Sequence, residues 1–112
     1  MSAAVAYAGD KSPAVVFLKK LDDLIAAGKY HEAAESFKKF DAENETSDFL
    51  IEEAIPFRVQ NHLTKTIGAT AFVKYTLRNP TWATDLSTAF HEPSKFDGYM
   101  AQIEADVKKL AA

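Results

Sequence analysis

From Pro13 onward, apolar side chains recur at the three- and four-residue intervals that place them on one face of a helix. Val16, Phe17, Leu21, Leu24 and Ile25 form such a stripe, with Lys19, Lys20, Asp22 and Asp23 between them. Ser12 supplies a capping hydroxyl and Pro13 suits the first helical position. Gly28 suits the end of the same helix. A second stripe, Tyr30, Ala33, Ala34, Phe37 and Phe40, predicts a helix from about Lys29 to Ala42. With so short a turn between them, the two make an antiparallel hairpin.

Asp41 to Thr46 is polar and reads as a loop, after which Thr46 or Ser47 can cap a third helix carrying Phe49, Leu50, Ala54 and Ile55. Pro56 lacks a backbone donor and should break or kink it. The pattern resumes from Phe57 to Arg78 through Val59, Leu63, Ile67 and Phe72. Within that run Ile67, Ala69, Ala71, Val73, Tyr75 and Leu77 alternate strictly, which is a strand signal. Helix is the better reading, because a lone strand needs partners and the chain offers no other convincing one. Asn79-Pro80 stops and restarts the chain, and a short helix from Pro80 to Phe90 carries Trp82, Leu86 and Phe90. After His91-Glu92-Pro93, a last helix from Ser94 to about Leu110 carries Phe96, Tyr99, Met100, Ile103, Val107 and Leu110. The expectation is an all-α fold, a four-helix up-down bundle with an additional short helix, over residues 13–112. Residues 1–12 read as a flexible N-terminal segment. The rival is a small α+β enzyme or ligand-binding cone with a strand at residues 67–77, which lacks the other strands of its sheet.

Composition fits that picture. At 112 residues, 47% apolar and 26% charged, the chain has the balance of one globular domain. A net charge of −3 and a pI near 5.5 leave no basic footprint for nucleic acid. No apolar run is long enough to span a bilayer, so no membrane insertion is expected. Cysteine is absent, so there is neither a disulfide framework nor a thiolate metal site. The stretch Ala3 to Gly9 ends in a small-x-small pattern like that left by a signal peptidase, which points to an exported or lumenal protein and leaves the cytoplasm as the alternative.

Tests for chemistry come back empty. His31, His62 and His91 never pair at the spacing that puts two metal ligands on one helical face. Asp41, Glu43, Glu45 and Glu52 mimic a calcium loop, but Thr46 stands where glycine is needed. Asp22-Asp23 and Glu52-Glu53 are adjacent, so their carboxyls diverge on a helix, and no glycine-rich phosphate loop or nucleophile elbow occurs. Asn44-Glu45-Thr46 is a glycosylation triplet that matters only on a eukaryotic secretory route. No catalytic residue, metal or cofactor is expected, and the chain reads as non-enzymatic.

Charge order says more. Asp41 to Glu53 holds six acidic residues and no basic one, whereas Ala54 to Thr84 holds Arg58, Lys65, Lys74 and Arg78 and no acidic one. A cationic segment on an acidic protein can steer a partner with a negative surface. Phe57, Arg58, His62 and Lys65, near the expected break, are the candidate docking residues, with Trp82 as an aromatic anchor if exposed. The bland alternative is ordinary surface charge and a core tryptophan.

Leu24-Ile25-Ala26-Ala27-Gly28-Lys29-Tyr30-His31-Glu32-Ala33-Ala34-Glu35-Ser36-Phe37 resembles the middle of a tetratricopeptide repeat. Leu21 fills a place where that family wants a small residue, and one copy is too few for a solenoid. This likeness implies a soluble adaptor or secreted effector whose hairpin binds a peptide or protein. A second likeness rests on the Gly-Lys-Tyr turn, on Pro56-Phe57-Arg58-Val59-Gln60-Asn61-His62-Leu63, on Lys95-Phe96-Asp97-Gly98-Tyr99 with Val107-Lys108-Lys109-Leu110, and on the Ala-Tyr-Ala-Gly start. Over about residues 13–110 the chain is similar in pattern to the Q-type extrinsic proteins of photosystem II, without their long Pro-rich arm. That resemblance implies a cofactor-free bundle in the thylakoid lumen, docked on a membrane-embedded protein complex and supporting oxygen evolution.

Overall fold

The computed structural model describes residues 13–44 and 48–112, with side chains for all of these except 44 and 48–52. The expected flexible N-terminus, the caps at Thr46 or Ser47 and residues 45–46 of the expected loop lie outside the described residues. Within them the chain forms α1 (Pro13–Ala26), α2 (Tyr30–Asn44), α3 (Asp48–Thr66), α4 (Ala69–Arg78), α5 (Trp82–Ala89) and α6 (Pro93–Ala111). The described residues contain no strand.

The first turn follows from one glycine. Gly28 sits at φ 76°, a left-handed conformation that costs glycine nothing. That geometry lets Lys29 N–H donate to the Leu24 carbonyl at 2.8 Å and Gly28 N–H to the Ile25 carbonyl at 3.0 Å. The pair of bonds is a Schellman closure, and it satisfies carbonyls that α1 would otherwise leave unpaired.

The third helix departs from expectation. It does not break at Pro56; α3 runs unbroken from Asp48 to Thr66 with Pro56 inside it. Proline removes one ladder bond, but Ile55, Val59 and Leu63 on either side of it are fully buried, and their packing holds the helix together across it. The interruption comes at Ile67 and Gly68 instead, where Gly68 adopts φ 145°. No other residue type accepts that conformation readily, so α3 ends and α4 begins across a two-residue link. Helical structure also continues past the expected end of α2, through residues 43 and 44.

Residues 69–78 are helical, so the alternating run is not a strand. Wound at 100° per residue, its apolar positions divide between two faces. Ala71, Phe72 and Tyr75 turn inward, whereas Val73 and Leu77 remain 55% and 77% exposed.

α1 packs on α2, α2 on α6, α6 on α4, α4 on α3, and α3 returns to α1, while α5 lies against α3 and α6. The core is largely aromatic. Phe17 stacks on Phe40 with ring centroids 4.5 Å apart, and Phe90 touches Phe37 at 4.9 Å and Phe96 at 4.7 Å. Each such pair adds about 0.5–1.5 kcal/mol beyond the area it buries. Val16, expected on the inner stripe, lies 59% exposed, because Phe17, Leu21 and Ile25 already fill the inner face of α1.

Candidate functional site

Residues 58, 61, 62 and 65 stand at i, i+3, i+4 and i+7 on α3, one face of a helix. There they carry Arg58, Asn61, His62 and Lys65, four side chains with N–H donors. Opposite, α1 presents Asp22, Asp23, Ile25 and Ala26, and between the two helices lies a pocket of about 350 Å³.

Arg58 Nε lies 2.9 Å from Asp22 Oδ1. The approach is close, but the N–H is not aligned for a hydrogen bond, and this buried nitrogen has no other partner among the described residues. Asp22 is half open to water, so the contact fixes the guanidinium more than it stabilises the fold, contributing under about 1 kcal/mol. His62 is held from the other side. Its Nε2 lies 3.4 Å from the Tyr30 hydroxyl of α2, with the rings edge to face. Burial pushes the Tyr30 hydroxyl well above its ordinary range, and a hydrogen bond to the Glu104 carboxylate reinforces the shift. The phenol therefore stays protonated, and which group donates across the 3.4 Å contact follows the imidazole tautomer.

The docking residues predicted from sequence are thus divided. Arg58, His62 and Lys65 come together at one pocket, where Arg58 is tied to Asp22 and His62 to Tyr30. Phe57 stands 60% exposed on the same helix. Trp82 does not join them and is no surface anchor. It is only 8% exposed and meets Phe72 edge-on at 5.1 Å, because its helix α5 is wedged against α3 and α6.

Sequence reasoning missed the outer face of α4. Val73 and Leu77 stand one turn apart in water, with the exposed cations Lys74 and Arg78 immediately after each. The signal was present in the strict alternation of residues 67–77. A period of two wound into a helix cannot bury all its apolar members.

A second cavity, of about 380 Å³, opens between α1 and α2 and is lined mainly by Pro13, Val16, Phe17 and Phe40, with Lys20, Lys39 and Glu43. Ser36 completes the lining, so polar and charged side chains edge an apolar floor. Among the described residues no cluster of His, Asp and Glu could hold a metal ion, and no helix is long and apolar enough to cross a membrane. Compared with protein families, characterised proteins and solved structures, the chain matches none.

Proposed function

We propose that this chain is a non-enzymatic accessory subunit that docks onto a larger protein complex through the outer face of α4. In its most specific form it is an extrinsic subunit on the lumenal side of photosystem II, its long helices in up-down order. One observation carries the reading. Val73 and Leu77, two large aliphatic side chains, stand in water beside Lys74 and Arg78, within a stretch that holds no acidic residue. Apolar groups with cations beside them suit a partner whose surface is apolar and anionic. On α3, Phe57 is a further large apolar side chain left in water.

Pull-down with the purified chain from separated membrane and soluble extracts tests it. The wild type should recover a large membrane complex, and recovery should weaken between about 0.01 and 0.15 M salt, as the Debye length falls from about 30 to 8 Å. Leu77→Asp and Lys74→Glu should each abolish recovery while leaving the helical signal intact, because both positions are exposed. Equal recovery by both variants rules out this face.

The apolar cavity between α1 and α2 favours a second reading, an adaptor that binds a peptide through the hairpin. In that case Val16→Asp, and not Leu77→Asp, should remove the partner, and the partner should come from the soluble extract.

A further inference from the structure

The pocket between α1 and α3 has a charge layout that the docking reading does not use. Arg58 and Lys65 lie on one wall and Asp22 and Asp23 on the other, so their formal charges sum to zero. Arg58 and Asp22 meet, but Lys65 and Asp23 do not. They line the same pocket with opposite charges, and neither makes an ion pair among the described residues. A gap too wide for direct contact therefore separates an ammonium from a carboxylate.

The donors also keep hydrogen-bonding capacity. The Arg58 guanidinium and the Asn61 amide make no hydrogen bond to any described residue, although Arg58 is only 21% exposed. Asn61 is exposed, whereas the Arg58 Nε is buried, and a buried donor normally finds a partner, in protein or in ligand. Ile25 and Ala26 contribute an apolar surface beside these groups.

We propose that this pocket binds a small zwitterion, a free α-amino acid. Its carboxylate lies against Arg58, Asn61 and Lys65, and its ammonium against Asp23. A bare anion is opposed by the two aspartates and a bare cation by Arg58 and Lys65, whereas a molecule with both charges satisfies each wall. The volume of about 350 Å³ sits near the lower end of small-molecule sites and admits one amino acid rather than a long peptide. Asp22 acts by holding Arg58 in place and His62 is held by Tyr30, so one wall is fixed before the ligand arrives.

The proposal does not depend on the docking reading. Titration of the isotopically labelled full chain by nuclear magnetic resonance tests it, with glycine first and then each of the other standard amino acids. At least one should give saturable shifts at Ile25, Ala26 and Asn61 with a Kd at or below about 1 mM. Acetate and methylammonium, the two halves of the ligand, should each bind at least about tenfold more weakly. Asp23→Asn and Lys65→Gln should each weaken binding by about tenfold without changing the helical signal, both residues being exposed. No saturation by any amino acid up to about 10 mM overturns the proposal. So does acetate binding as tightly as the best amino acid, which makes the pocket a plain anion site. Partner recovery by Asp23→Asn is expected to be unchanged, so failure here is separable from failure of the α4 face.

Discussion

Tyr30 and Tyr75 take phenol groups into the core and keep them neutral. For Tyr30 the cause is burial first, then Glu104 and Asp97; for Tyr75 it is burial first, then the Tyr99 hydroxyl beside it, with Asp106 and Asp85 adding to the effect. Tyr99 is raised in the same direction by burial and Asp85. In the unfolded chain these groups ionise near pH 10, whereas in the native protein they ionise above it. Their contribution to stability is therefore complete below pH 10 and is lost as pH rises beyond that value, where only the unfolded chain gives up its protons. In an alkaline titration the tyrosinate absorbance of the buried rings should rise together with loss of the helical circular-dichroism signal. Ionisation of all the tyrosines near pH 10 with the helices intact would show the rings reachable by hydroxide. At this scale the sequence was half legible. Charge order marked Arg58 and Lys65, but nothing in it showed that Asp22, thirty-six residues earlier, would reach Arg58. Nor could periodicity tell that Trp82 would meet Phe72 in the interior.

The helices were legible where their apolar spacing was regular and less so where one residue decided a boundary. α1, α2 and α6 follow their stripes closely, because a face of Phe, Leu and Ile at helical spacing has one good way to be buried. Pro56 suggested a break or a kink, and the helix runs on through it without a break, whereas Gly68 made one that a lone glycine does not announce. Two glycines now separate these effects. Gly68→Ala forces a side chain into φ 145°, strained although nothing lies within 4 Å of the new Cβ. It should cost about 1–2 kcal/mol and lower the melting temperature by several degrees. Gly98 lies within α6, also with nothing within 4 Å, so Gly98→Ala should raise stability by roughly 0.5–1 kcal/mol. Thermal melts of the two variants that shift in the same direction would contradict this account of the α3–α4 link.

Across the whole molecule, Phe90 is where the helices meet. Fully buried, it touches Phe37 of α2 and Phe96 of α6 from the end of α5. Phe90→Ala should cost about 3–5 kcal/mol, a large share of the roughly 5–15 kcal/mol that holds a domain of this size. Chemical denaturation should show one cooperative transition at a much lower midpoint, whereas a second, separate transition would mean that the hairpin folds apart from the rest. The place of α6 against α2, α4 and α5 carries a consequence for biosynthesis. The α1–α2 hairpin joins neighbouring residues and can form as soon as it leaves the ribosome. Its inner face, however, is covered by residues made some fifty positions later, so Phe37 and Tyr30 stay uncovered until Phe90 at the end of α5 and Phe96 of α6 have been translated. A chaperone that binds aromatic surface has that interval in which to act, and the nascent chain completes its core only once α6 has emerged.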